Sequence, residues 1–212
     1  CFMLDLQAFF KMSYGLYVLS SAFDGKQNGC IVNTVTQVTA EPPKVAVAVS
    51  KQNLTTSLIE RSGLFNAVAL TEEATMDLIG RFGFCSGREE DKFAGIPHGA
   101  DANGVWYPTE TASAMFSCKV IDKLDLDTHV LFVGKSIEAV KLSDAPVMTY
   151  DYYHKVKKGE TPPNAPSYKK PAEKHGWRCK VCGYIYEGET LPEDFVCPLC
   201  KHGAEDFEKL PD

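Results

Sequence analysis

From Ile31 to Thr39 the chain reads Ile-Val-Asn-Thr-Val-Thr-Gln-Val-Thr, an almost strict alternation of apolar and polar side chains. That period of two predicts a strand with one face toward a core. Before it, Tyr14 to Phe23 is rich in strand formers, and residues 5 to 12 carry a short helical pattern. Asp24-Gly-Lys-Gln-Asn-Gly29 holds two glycine-bearing dipeptides, which predicts a turn and a hairpin into Cys30 to Thr39. After Pro42-Pro43, Val45 to Val49 is unbroken apolar sequence, the mark of a buried strand, and Leu58-Ile59 opens a helical pattern. A strand over Phe65 to Leu70, a helix from Thr71 to about Phe82, and strands over Ala114 to Val120 and Thr128 to Val133 follow. The tract up to Thr111 reads as a long loop, suited to a lid or a dimer contact. The sum is a mostly antiparallel barrel with helices.

The 212 residues exceed one ordinary domain. The division follows from the C-terminal stretch, where Cys179-Lys-Val-Cys182 and Cys197-Pro-Leu-Cys200 frame fourteen residues. Two Cys-x-x-Cys knuckles facing each other complete a tetrahedron of thiolates, the geometry of zinc or of a single iron. A catalytic dithiol needs only one pair. Aromatic side chains at Trp177, Tyr184, Tyr186, Phe195 and Phe207 crowd this small site. A dry wall suits a metal that changes charge. The expected layout is a larger domain over 1–154, a linker rich in proline and lysine over 155–175, and a metal-knuckle domain over 176–212. Cys30, Cys85 and Cys118 read as buried reduced thiols.

The net charge is −6, and the division matters more than the sum: both ends are acidic and the linker is basic. Nucleic acid is therefore not an expected partner, because phosphate would repel the metal module. No run approaches about 18 apolar residues, and the N-terminus, which opens on Cys1, has no basic region followed by an apolar block. A soluble cytoplasmic protein without a membrane partner is expected. Neither G-x-G-x-x-G nor G-x-x-x-x-G-K-S/T occurs, which leaves a Rossmann dinucleotide site unsupported.

Asn33, Thr34 and Thr36 form a row of neutral hydrogen-bonding groups, which is equally the composition of a solvated strand face. Ser50-Lys-Gln-Asn53-Leu-Thr55-Thr56 takes a strand into a helix N-terminus. There free N–H groups, the positive dipole end and Lys51 converge as they would on a phosphate. An ordinary N-cap is the bland alternative. Arg88 and Lys92, on a glycine-broken loop, can meet an anion or belong to a solvated charge run. His129 stands at a strand start, where the imidazole is either structural or a candidate catalytic group.

Residues 176 to 212 resemble a rubredoxin, on both knuckles and the Gly183-Tyr-Ile-Tyr186 run. Residues 5 to 168 resemble the flavin reductase-like FMN-binding split barrel. The likeness rests on Asn33 to Val38, Pro42-Pro43, Ser50 with Asn53 and Thr55, Ser62-Gly-Leu-Phe65, Ser86-Gly-Arg88 with Asp91-Lys-Phe93, His129 with Gly134, and Gly159 to Tyr168. The resemblance implies that Asn33 to Gln37, including Thr34 and Thr36, face the isoalloxazine ring of FMN. It implies that Ser50, Lys51, Asn53, Thr55 and Thr56, with Ser86, Arg88 and Lys92, hold the ribityl phosphate. It also implies a homodimer, and iron rather than zinc on the four cysteines.

As a whole the chain resembles the high-molecular-weight rubredoxin family, which implies an NAD(P)H-dependent oxidoreductase. Electrons would pass through FMN to one iron, then to a flavodiiron-type protein that reduces nitric oxide or oxygen. Two other readings stay open: a free flavin or ferric reductase with a structural zinc tail, and a non-enzymatic electron carrier. Because tail and barrel are both acidic, the charge pattern predicts a tethered tail with no fixed docked pose.

Overall fold

The computed structural model describes residues 6–157, 159 and 176–210. Seven strands, β1 (Tyr17–Phe23), β2 (Lys26–Val32), β3 (Thr36–Ala40), β4 (Pro43–Ser50), β5 (Leu64–Leu70), β8 (Ala112–Leu126) and β9 (His129–Lys141), form one antiparallel sheet. Their order in it is β2-β1-β5-β8-β9-β4-β3. A short hairpin, β6 (His98–Ala100) and β7 (Trp106–Pro108), occupies the tract read from sequence as a loop. Helices α1 (Leu54–Ser62), α2 (Met76–Gly83) and α3 (Tyr150–Lys155) pack on this frame.

Alternation along β1 and β5 splits the interior in two. Val18 and Val68 face one cluster with Leu78, Ile79 and Phe82 of α2, Phe93, Met115 and Tyr153. Leu19 and Ala67, one residue away, face the other, with Val47 of β4, Ile59 of α1, Phe65 and Phe132. β1 and β4 are four places apart in the sheet yet share that second cluster, so the sheet curls around it. Helix α1 closes one side through Leu58 and Ile59, 3 % and 0 % exposed. Each such side chain contributes roughly 1.5–3 kcal/mol on burial.

The first hairpin turns on Asp24-Gly25, both at positive φ (51° and 73°), with Phe23 opposite Lys26. This is a two-residue turn of the kind the sheet twist favours. Asn28 and Gly29, read from sequence as part of the turn, lie instead within β2. The predicted strand over Ile31 to Thr39 also breaks. β2 ends at Val32, and every residue of β3 is exposed, so its alternation buries no face. β8 and β9 run well beyond their predicted ends, into a long hairpin that exposes Ile121, Leu124 and Leu126 toward its tip and Ile137 nearer its base.

The C-terminal module is a three-stranded sheet, ordered β11 (Ile185–Tyr186), β10 (Trp177–Cys179), β12 (Phe207–Lys209). It packs against α2, where Met76 and Phe84 join the cluster around its cysteines and Lys201 meets Asp77 at 3.1 Å. The charge pattern gave no fixed pose; apolar packing, with one local ion pair of opposite sign, supplies it. Most of the segment read as the linker, residue 158 and residues 160–175, lies outside the described residues.

Candidate functional site

Each knuckle of the C-terminal module is a tight turn closed by a backbone bond, Gly183 N–H to Cys179 O at 2.9 Å and Lys201 N–H to Cys197 O at 3.0 Å. The turns bring the sulfurs of Cys179, Cys182, Cys197 and Cys200 within 4.8 Å of one another, all buried. Sγ of Cys179 lies 3.6 Å from that of Cys200, and Sγ of Cys182 lies 3.4 Å from that of Cys197. With metal–sulfur bonds of about 2.3 Å, the edge of a thiolate tetrahedron is about 3.8 Å, so the set fits one tetrahedral ion.

Backbone amides aim at the sulfurs: Tyr184 at Cys182, Leu199 and Cys200 at Cys197, His202 at Cys200. Hydrogen bonds from Cys182 and Cys200, then these amides, hold the Cys197 thiol far below its ordinary value. Its neighbour Cys182 is pushed up, because it shares its proton with Cys197 and Cys200 and is buried. A site that stabilises a thiolate before any ion arrives is suited to a metal. Phe195 walls it off, 4.8 Å from Tyr186 and 5.3 Å from Phe207 by ring centroids.

Several of the candidate flavin residues, Ser50, Lys51, Asn53, Thr55 and Thr56, lie at the start of α1. Asn53 is its N-cap, but the Asn53 side chain caps nothing, which leaves the first turn of amides without that acceptor. Thr34 is tied to β4, its Oγ1 donating to Ala48 O at 2.9 Å, and buried Asn33 precedes it in the break after β2. Thr36 and Gln37 pair with Ala46 and Val45, on the exposed edge strand. Ser50 lies opposite His129 in the β4–β9 register, and His129 Nδ1 is 2.8 Å from Thr128 Oγ1.

The loop from Ser86 to Lys92 reaches the same place through Asn28. Asn28 Nδ2 donates to Thr55 Oγ1 at 2.9 Å, and the Gly87 backbone lies so close that a Cβ there would stand 2.0 Å from Asn28 Oδ1. Ser86 and Arg88 remain exposed, and Arg88 lines a cleft of about 350 Å³ with Lys26, Gln27 and Trp106.

Three candidates are engaged elsewhere. Lys92 is buried, and its ammonium donates to Gly29 O and Phe82 O at 3.1 Å each, pinning its loop to β2 and α2. Burial holds it below the usual lysine value. Thr56 Oγ1 donates to Ser50 O at 2.6 Å, and Lys51 Nζ meets Asp125 at 2.6 Å.

Residues 9–159 match the flavin reductase like domain, more than half of the chain. The chain belongs to the flavin reductase-like family. Residues 177–208 match the rubredoxin-like domain of rubrerythrin. This flavin reductase-like chain is 36 % identical to a high molecular weight rubredoxin of Moorella thermoacetica, over 98 % of this chain and 100 % of that one. It is 42 % identical to a ferric-chelate reductase (NAD(P)H) of Archaeoglobus fulgidus, over 78 % of this chain and 98 % of that one. Among solved structures, an FMN-binding protein from Thermus thermophilus superposes with a TM-score of 0.62 at 25 % identity, covering 71 % of this chain and 89 % of that one.

The flavin reductase-like chain is thus an oxidoreductase, with a flavin-binding fold and a second module whose four cysteines suit one iron. Among the described residues no helix is long and apolar enough to cross a membrane. Sequence reasoning missed Asn28, which joins the two halves of the candidate flavin site. A polar residue two places into a strand was the signal, hidden by reading Asn28-Gly29 as turn chemistry.

Proposed function

We propose that the chain is an NAD(P)H-dependent reductase that passes electrons through FMN to one iron on Cys179, Cys182, Cys197 and Cys200. From there they go to a flavodiiron-type protein that reduces nitric oxide or oxygen. The observation that carries this reading is that a flavin-binding barrel and a buried four-sulfur centre lie packed together in one chain. Bound FMN takes up the two electrons of a hydride and releases them singly, and one iron carries one at a time.

The residues of the barrel bind and orient. The α1 N-terminus and Arg88 suit the single terminal phosphate of FMN. Asn33 to Gln37 suit the ring and Ser50 with Asn53 the phosphate, with His129 across from Ser50 as the candidate catalytic group. Thr55 and Lys92 act from behind, by fixing Asn28 and the loop that carries Arg88. In the metal module the aromatic wall excludes water, and the amides aimed at sulfur set the potential. Free thiols at Cys30, Cys85 and Cys118 suit a reducing cytoplasm. The exposed apolar residues of the β8–β9 hairpin suit a homodimer.

Anaerobic titration of the purified protein with NADH and then NADPH, followed by visible absorbance and metal analysis, tests the whole sequence. Bleaching of flavin and then of thiolate-to-iron absorbance is expected. One zinc per chain, or no bleaching by either nicotinamide, refutes it. The 42 % identity to a ferric-chelate reductase favours a second reading, direct reduction of a chelated ferric ion at the barrel. That activity would survive the loss of the four cysteines, whereas transfer to a flavodiiron protein would not.

A further inference from the structure

Helix α2 has two working faces. Leu78, Ile79 and Phe82 enter the barrel core. Met76, Gly80 and Phe84 follow one another at intervals of four, hence on one stripe of the helix surface, and that stripe meets the metal module. Gly80 is the point of closest approach: a Cβ on it would stand 2.2 Å from the carbonyl oxygen of Leu199, between the last two cysteines. Among the described residues, and leaving aside the backbone of α2 itself, the other atom within 4 Å of that imagined Cβ is the carbonyl carbon of Leu199 at 3.3 Å, so the rest of the barrel does not require glycine there. A glycine inside a helix lowers its stability relative to alanine, and here the module is what it makes room for.

Two further observations give this contact a direction. Cys200 is the most exposed of the four ligands, 6 % against 0–1 % for the others, so the open edge of the centre lies at Cys200. In the packed pose Cys200, with Leu199 and Lys201, borders a cleft of about 510 Å³ whose opposite wall includes Arg81, Cys85 and Glu90 of the barrel. Cys85 immediately precedes the Ser86–Lys92 loop that closes on Asn28 and Thr55. The open edge thus looks into a cleft that it shares with the barrel residues leading to the candidate flavin loop. Lys201 adds a specific marker. It occupies a left-handed backbone position (φ 63°) that favours glycine, as Gly183 does in the first knuckle (φ 82°), and its side chain reaches Asp77.

We propose that the Met76–Gly80–Phe84 face of α2 is a dock on which the chain's own metal module is charged with electrons. The module leaves the dock to discharge them. Charging and discharging use the same edge at Cys200 and so exclude each other. The proposal rests on the reading of the chain as a flavin-to-iron reductase. Each docking would move one electron from reduced flavin to ferric iron, and over the two electrons of one hydride the flavin would return that hydride's single proton to solvent. One hydride from NAD(P)H therefore serves two dockings, with an external acceptor reoxidising the iron between them.

The test uses the full-length, flavin- and iron-loaded chain. Gly80→Leu places a side chain into the Leu199 carbonyl while improving helix propensity, and Gly80→Ala is the milder step. Lys201→Gly removes the Asp77 contact while relieving the backbone of the knuckle. The dock is read without turnover, as the zero-length carbodiimide cross-link between Asp77 and Lys201 and as slowed hydrogen exchange of α2. Charging is read as the rate of iron reduction after NADH is mixed in at dilute protein.

Wild type should cross-link. Gly80→Leu should lose the cross-link and the exchange protection, and should reduce its iron at least tenfold more slowly, with flavin reduction by NADH unchanged. Lys201→Gly should reduce its iron more slowly while its metal absorbance stays intact. No cross-link in wild type, or wild-type iron reduction in Gly80→Leu once the cross-link is lost, overturns the dock. If NADH fails to reduce the flavin, the proposed function falls instead, and light-driven reduction of the flavin still compares charging in the two proteins.

Discussion

Replacing Lys92 by methionine removes a buried ammonium while keeping most of its apolar stem. In the native chain that ammonium donates to Gly29 O and Phe82 O at 3.1 Å each. Hydrogen bonds from a charged donor contribute about 1.5–3 kcal/mol each, so losing both costs about 3–6 kcal/mol. Relief from burying an ammonium returns several kcal/mol of that, leaving a net loss of about 2 kcal/mol. With a urea slope of about 2 kcal/mol per M, the unfolding midpoint should fall by about 1 M.

The pH dependence supplies a second reading of the same residue. Burial lowers the Lys92 value below 10.5, so the native state releases this proton at a lower pH than the unfolded chain does. Stability from this group is therefore fullest above 10.5 and is lost as pH falls through the lowered native value. The wild-type advantage over Lys92→Met should widen as pH rises toward 10.5. Flavin retention should weaken in the variant, because the loop carrying Arg88 loses its anchor. An unchanged urea midpoint at neutral pH, or a gap that stays constant through the alkaline window, refutes this account of Lys92.

Thr55→Ala, which leaves buried Asn28 without its partner, should weaken flavin retention in ultrafiltration assays, and Thr55→Ser should restore it. Lys51→Ala breaks a solvent-exposed pair with Asp125, so its urea midpoint should stay close to that of the wild type. Any loss of flavin there reports the phosphate. Cys197→Ser should abolish metal absorbance and loosen the C-terminal module to proteolysis while the barrel keeps its flavin. Burial pushes the Cys118 thiol up to about 11 from 9.0. Its contribution to stability is full below pH 9 and fades as pH rises through about 11, a slope that Cys118→Ala should remove in urea titrations.

The metal centre was legible because its chemistry is local: two Cys-x-x-Cys pairs and the aromatic residues beside them name their own geometry. Val45 to Val49, an unbroken apolar run, and Phe65 to Leu70, interrupted only by Asn66, were legible because strands buried on both faces read as nearly continuous apolar sequence. β3 misled, since alternation marks one buried face only when something covers it, and here the strand is an exposed sheet edge. The outer halves of β8 and β9 were invisible for the opposite reason: Asp122, Lys123 and Asp125 face solvent, and only cross-strand pairing makes them a strand. Lys92 could be read as an anion ligand because sequence does not tell a free ammonium from one spent on two carbonyls. Gly80 carried a signal, glycine inside a helical pattern, but its reason lies some 120 residues away at Leu199.

The strand order also bears on how the chain is made. Five of the seven strands of the main sheet, β1 to β5, lie within the first seventy residues, yet no ladder joins the β1-β2-β5 ribbon to the β3-β4 ribbon. In the hydrogen-bonded sheet the two ribbons are joined through β8 and β9, which the ribosome delivers much later. Until Lys141 has emerged, β4 and β5 each present a bare edge of the kind that recruits other strands. During synthesis the nascent half therefore depends on the speed of one late hairpin insertion, and a stall between Leu70 and Ala112 would leave it most open to aggregation or to chaperone capture.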